Sequence, residues 1–109
     1  MEGLWTVEFG STIGQFGAGV VVLQNGIVRG GDNAYYYTGT YEQHGSRFTL
    51  IIDATPFVED IESIFKTLGT RLRLNISGLL KQDGRNAVGQ GTIDNHPQIR
   101  VGIKFTKRT

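Results

Sequence analysis

The only notable acidic cluster in this 109-residue chain consists of Glu59, Asp60 and Glu62. Carboxylates that lie this close together attract a basic protein partner, such as a DNA-binding protein. By default, such a cluster is a solvated face near the start of a helix, where negative charge is favourable. Both interpretations stay open, and we treat the three residues as a candidate partner-binding site.

Four tyrosines between residues 35 and 41, with Arg29 and Arg47 nearby, form a second candidate. Aromatic rings beside arginines can stack on the bases of a single-stranded nucleic acid. Along a strand, however, Tyr36 faces away from the other three tyrosines. This alternation favours tyrosines that form core walls, with hydroxyl groups that reach the end of a sheet.

Neither histidine has a partner for metal binding or catalysis. His44 and His96 lie in predicted turns, without a second histidine, a cysteine or paired carboxylates at ligand spacing. No serine has the flanking glycines of a nucleophile elbow. We therefore predict no catalytic residues, no metal, no cofactor and no enzymatic activity.

The overall composition argues against several classes of partner. Lys plus Arg is 11 and Asp plus Glu is 10, so no strong field draws the protein onto nucleic acid. Cysteine is absent, which fits a reducing compartment. The N-terminal residues lack the pattern of a signal peptide, and no apolar run approaches the roughly 20 residues that span a membrane. We expect a cytoplasmic protein that binds neither nucleic acid nor membrane.

Alternation of apolar and polar residues along the chain predicts an all-β fold. Turn residues such as Asn25-Gly26 divide the alternating runs. Because an antiparallel sheet of about eight strands tends to close on itself, we predict one domain over residues 1–109, a closed up-and-down barrel. The predicted strands are 3–10, 17–24, 27–30, 34–43, 46–53, 70–80, 86–93 and 98–106.

The predicted inward side chains are bulky enough to fill a small barrel, although barrels of this size can also hold one small ligand. Trp5, Tyr37 and Phe48 are the candidate residues for an apolar ligand near the barrel mouth. The outer face of the barrel, opposite the inward set, would mediate dimerisation, with Val21, Leu23 and Ile51 as candidates. The full inward set is Trp5, Val7, Phe9, Val20, Val22, Tyr35, Tyr37, Tyr41, Phe48, Leu50, Ile52, Leu72, Leu74, Ile76, Ile99, Val101, Ile103 and Phe105.

One segment, 55–69, interrupts the strand pattern and predicts a short helix or helical turn. Thr55 can cap a helix, Pro56 suits its first position and Gly69 suits its end. Its apolar residues recur at helical spacing, which predicts a plug over one barrel end.

The chain resembles the GrlR-like family, named for a negative regulator of bacterial type III secretion. The resemblance lies in the N-terminal run 3–9, the strand 17–23, the Asn25-Gly26 turn and the segment 63–65. Its most specific part is a glycine, aspartate and tyrosine pattern formed by Gly30, Gly31, Asp32, Tyr35, Tyr37, Gly39 and Tyr41.

This resemblance implies a calycin-like, lipocalin-related barrel that forms a homodimer and has no enzymatic activity. The family's namesake sequesters a helix-turn-helix transcriptional activator, and its partner contact is associated with an acidic run in the hairpin after the tyrosine strand. The matching hairpin here, 41–47, contains one acid, Glu42. The expected function is a non-catalytic regulatory or protein-binding module, and the alternative is a barrel that binds a small apolar ligand.

Overall fold

The computed structural model describes residues 1–14, 16–58 and 71–109. Within these ranges, eight antiparallel strands form a closed barrel in chain order, and the last strand pairs with the first. The predicted up-and-down barrel is therefore confirmed, and the described residues contain no helix. The strands are β1 (Gly3–Ser11), β2 (Phe16–Gln24), β3 (Ile27–Gly31), β4 (Tyr35–His44), β5 (Arg47–Pro56), β6 (Leu72–Leu80), β7 (Asn86–Ile93) and β8 (His96–Lys107).

The turn between β2 and β3 is the hairpin that the sequence predicts. Asn25 and Gly26 have φ angles of 54° and 79°. A two-residue hairpin turn that follows the twist of its strands needs positive φ at both positions, which asparagine and glycine tolerate best. This turn fixes the register of β2 against β3, in which Leu23 pairs with Val28.

Aromatic side chains fill the centre of the barrel. Trp5 and Phe48 each contact Phe105 edge to face, with ring centroids 6.4 and 5.5 Å apart. Every buried residue among those the structure describes is apolar or aromatic. Most of the predicted inward set is buried, whereas Tyr41 and Ile103 are only partly buried against the core.

The predicted orientation of β2 is wrong. Val20 and Val22 are 42% and 41% exposed, whereas Val21 and Leu23 are buried at 2% and 0%. Val21 pairs directly with Trp5 of β1 and therefore lies on the same inner face. Because β2 has apolar residues on both faces, its hydrophobic pattern does not determine which face points inward.

The predicted start of the helix at residue 55 is also wrong. Thr55 and Pro56 belong to β5 and pair with Tyr36 and Tyr35 of β4, so they extend the sheet. Phe57 follows the strand and is 57% exposed. The rest of the predicted helix, from residue 59 onwards, lies outside the described residues.

Candidate functional site

The glycine, aspartate and tyrosine pattern forms a turn that holds a buried tyrosine. One carboxylate oxygen of Asp32, Oδ1, accepts hydrogen bonds from the backbone N–H groups of Ala34 and Tyr35, both at 2.8 Å. The other oxygen, Oδ2, accepts a hydrogen bond from the hydroxyl of Tyr37. Asp32 thus ties the turn between β3 and β4 to the barrel interior.

Tyr37 is held in its neutral form. Its burial, and secondarily its hydrogen bond to Asp32, raise the pKa of the Tyr37 hydroxyl far above its ordinary value. Gly19 of β2 leaves room for this contact, because a Cβ atom there would lie 3.3 Å from the Tyr37 hydroxyl and 2.8 Å from the carbonyl oxygen of Gly31. A phenol that keeps its proton and donates a hydrogen bond to a turn carboxylate is a structural anchor.

A small cavity lies beside this anchor in the part of the barrel that the structure describes. Tyr37, with Phe9 and Ile52 among its neighbours, lines a cavity of about 40 Å³. This volume is close to the share of a single water molecule in the liquid, roughly 30 Å³. Trp5 and Phe48, the other two residues predicted for a ligand site, are buried in the aromatic cluster around Phe105. Tyr37 and Phe48 line different pockets, the first inside the barrel and the second on its outside.

A largely apolar, exposed face covers β2 to β5 on the outside of the barrel, with the outward residues Arg29 and Thr38 between its apolar side chains. We define this apolar face by five outward residues that are between 41% and 48% exposed, namely Val20, Val22, Ile27, Tyr36 and Ile51. Ile51 is the one residue of the predicted dimer face that belongs to it. Val21 and Leu23, the other two, point into the core, so the predicted dimer face is wrong at both positions.

A groove runs across the outside of the barrel on the other side. Its floor is a row of small or polar residues that pair with one another from β5 through β8 to β1. The row consists of Thr49, Ser77, Gln90, Gly102 and Gly10. Neighbouring strands lie about 4.8 Å apart, so four strand spacings give a floor about 19 Å long.

The two walls of this outer groove are the adjacent rows of outward residues. Arg47, Leu79 and Val88 form one wall, and the recess beside them has a volume of about 660 Å³. Asn75, Thr92 and Arg100 form the other wall, beside a recess of about 410 Å³. The two recesses share Ser77, Gln90 and Gly102, which makes them parts of one depression.

Gly102 is the reason the groove stays open at its centre. A Cβ atom at this position would meet no atom within 4 Å. The neighbouring outward residues of β8 are Arg100 and Lys104, whose long side chains flank the glycine. Alternation in β8 gave a sequence signal for this groove, because Gly102 occupies an outward position between two long cationic residues.

The charged groups around the groove differ in whether they are paired. Glu42 lies 3.8 Å from His44, and Asp94 accepts a hydrogen bond of 2.7 Å from Asn75. Arg47 and Arg100, on opposite walls, form no ion pair with any residue that the structure describes. The groove therefore presents two cationic side chains that no described carboxylate neutralises.

The remaining predicted residues do not converge on a site. His44 ends β4 and His96 begins β8, and within residues 1–14, 16–58 and 71–109 no three potential metal ligands come together. The acidic cluster Glu59, Asp60 and Glu62 lies outside the described residues. Across the same ranges, no helix has both the length and the apolar character needed to span a membrane.

Comparison with known proteins identifies the class of fold. No family model and no curated protein matches the chain in sequence. In structure, the chain is similar to a redesigned β-barrel, with a TM-score of 0.73 over 99% of this chain and 91% of that chain. The two sequences are 12% identical, so the likeness shows the fold alone. The described residues thus form a closed antiparallel β-barrel of the kind that this neighbour also adopts.

Proposed function

We propose that this protein is a non-catalytic binding module that acts through the outer surface of a filled barrel. In this proposal it is a GrlR-like barrel of the calycin type, and it regulates a protein partner by holding it. The observation that carries the proposal is the contrast between the two sides of the sheet. The inside leaves about 40 Å³ beside Tyr37, whereas the outside carries exposed apolar residues and a groove.

The proposal includes a homodimer that buries the apolar face. Strand pairing joins Val20 to Tyr36 through Gly31, and Ile27 to Ile51 through Thr40. Val22 lies between these two rows and pairs with Arg29. Large apolar side chains grouped on one face of a soluble protein are typical of an interaction surface. A twofold axis would place the same face of both copies in contact, which removes these side chains from water.

A matched pair of variants tests the dimer. Val22 and Val88 are 41% and 42% exposed, on the apolar face and in the groove respectively. Val22→Glu places a charge in the proposed interface, and Val88→Glu makes the same change outside it. Sedimentation at high micromolar concentration should give twice the 12.0 kDa chain mass for the wild type and Val88→Glu, and the chain mass for Val22→Glu. A monomeric wild type would contradict the dimer.

Photo-crosslinking in the source cells tests the binding function itself. A photoreactive amino acid at Tyr36 of β4 or Leu79 of β6 faces outward, on the apolar face and in the groove respectively, whereas the same group at Val101 is enclosed. We expect discrete adducts with another protein from at least one of the outward positions and none from Val101. The absence of adducts from both outward positions would overturn the proposal.

A further inference from the structure

We propose that the outer groove binds an extended, acidic peptide segment that places an aliphatic or aromatic side chain between two acidic residues. The inference rests on the proposed function, since it specifies the chemistry of a protein partner. It uses the groove and not the apolar face. The juxtaposition that carries it is an apolar pair, Leu79 and Val88, beside a polar floor, with one arginine on either wall that pairs with no described carboxylate.

The shape of the groove fits an extended chain. Its floor, about 19 Å long, corresponds to about six residues of extended polypeptide. Leu79 and Val88 are paired across β6 and β7 and are 50% and 42% exposed, so they offer a shared apolar seat to one side chain. Ser77 and Gln90 on the floor can hydrogen-bond to the backbone of such a segment.

The charge of the groove favours a ligand of negative charge. Arg47 and Arg100 lie on opposite walls, three strands and four residues apart, which is about 14 Å across the strands and about 13 Å along them. Each guanidinium can pair with a carboxylate in a bidentate geometry. Glu42 places one exposed carboxylate at the β4 end of the groove, 3.8 Å from His44, and leaves the region between the two arginines free of acids among the described lining residues. A peptide with acids on both sides of an apolar residue matches this arrangement, and a basic peptide does not.

A nucleic acid fits the groove less well. Binding to a single strand relies on aromatic side chains that stack on the bases. Among the described residues that line the two recesses, Phe48 is 2% exposed because it packs in the core, which leaves His44 as the one exposed ring. The walls therefore favour a peptide.

Fluorescence anisotropy with labelled probes tests the inference on the intact protein. The probe is a peptide of about six residues with a central leucine and glutamates on both sides. Two comparison probes are the same peptide with lysines in place of the glutamates and a short oligothymidylate. We expect saturable binding of the acidic peptide alone, weakened by added salt because the pairs are exposed.

Three variants locate the binding. Gly102→Trp fills the floor and should abolish binding, and its Cβ would meet no atom within 4 Å. The double variant Arg47→Glu, Arg100→Glu should weaken acidic-peptide binding by about tenfold or more, because it reverses both exposed charges. Asn33→Trp is the control, as this exposed residue in the turn between β3 and β4 belongs neither to the groove nor to the apolar face.

The outcomes separate this inference from the proposed function. Equal affinity for the lysine peptide, preference for the oligonucleotide, unchanged binding by Gly102→Trp, or no binding of the acidic peptide would each overturn the groove assignment. Crosslinks from Tyr36 or Leu79 in cells would still support a binding module in any of these cases. The absence of those crosslinks, with acidic-peptide binding intact, would instead overturn the proposed cellular function.

Discussion

The contact between Asp32 and Tyr37 provides a quantitative test of the anchor at the turn between β3 and β4. Asp32→Ala removes the acceptor of two backbone N–H groups and of the Tyr37 hydroxyl. A hydrogen bond to a charged group contributes about 1.5–3 kcal/mol, and a buried hydroxyl without a partner costs about 1–3 kcal/mol. We expect Asp32→Ala to lower the free energy of unfolding by about 3 kcal/mol, a large part of the roughly 5–15 kcal/mol that stabilises a typical domain.

Tyr37→Phe should be milder, since it removes the donor together with its buried polar atom. Asp32 then keeps both backbone partners, and a loss of about 1 kcal/mol is expected. In the double variant the loss should be smaller than the sum of the two single losses by about 1 kcal/mol or more, because the two side chains contact each other.

Urea unfolding monitored by Trp5 fluorescence measures all four proteins of this double-mutant cycle. Trp5 is the only tryptophan of the chain and is fully buried, so its emission reports loss of the core. The wild type and the three variants should unfold with similar dependence on urea and with different midpoints. Additive losses, with no coupling between positions 32 and 37, would refute the assignment of Asp32 as the anchor of Tyr37.

Three further predictions concern the interior and the sheet. Because folding raises the pKa of Tyr37, the unfolded chain releases the Tyr37 proton at lower pH than the folded protein does, so the stability that this residue contributes is present below about pH 10 and is lost as pH rises further. Tyr37→Phe should therefore make the free energy of unfolding fall less steeply with pH above about pH 10. An unchanged dependence on pH would contradict the burial of this hydroxyl. Gly39→Ala should destabilise the protein by about 1–3 kcal/mol, because the added Cβ would lie 1.9 Å from the carbonyl oxygen of Ile51; Gly102→Ala, which meets no atom within 4 Å, is the control in thermal unfolding. Trp5 emission should stay constant during titration with fatty acids and apolar dyes, since the cavity of about 40 Å³ has no room for them; a saturable change would favour the ligand-carrier alternative.

The architecture could be predicted from the sequence because most strands alternate clearly. In β6, Leu72, Leu74 and Ile76 point inward, and exposed polar residues separate them. Such a pattern allows one orientation of the strand. The turn at Asn25-Gly26 was equally clear, since it requires residues that tolerate positive φ.

The orientation of β2 could not be predicted in the same way. Val20, Val21, Val22 and Leu23 are all apolar, so either face of this run could point inward. The orientation follows from pairing with distant residues, Trp5 of β1 and Gly30 of β3, which both pair with Val21. Because the dimer face was inferred from this orientation, the error at β2 carried over to Val21 and Leu23.

The candidate site was harder to predict because its residues come from five strands. Gly10, Thr49, Ser77, Gln90 and Gly102 lie next to one another only through the register of the closed barrel. The contact of Asp32 with Tyr37 was also missed. Both residues were identified as part of the family pattern, but the hydrogen bond between them depends on the turn geometry.

Thiol labelling along β2 tests the central claim, that the barrel is filled inside and binds on its outer face. The chain has no cysteine, so Val21→Cys and Val22→Cys each introduce a unique thiol. We expect the thiol at 21 to stay protected at every protein concentration, whereas the thiol at 22 should react rapidly in dilute protein and slowly when copies associate. Labelling at 21 as fast as at 22, or a rate at 22 that is independent of concentration, would contradict this claim.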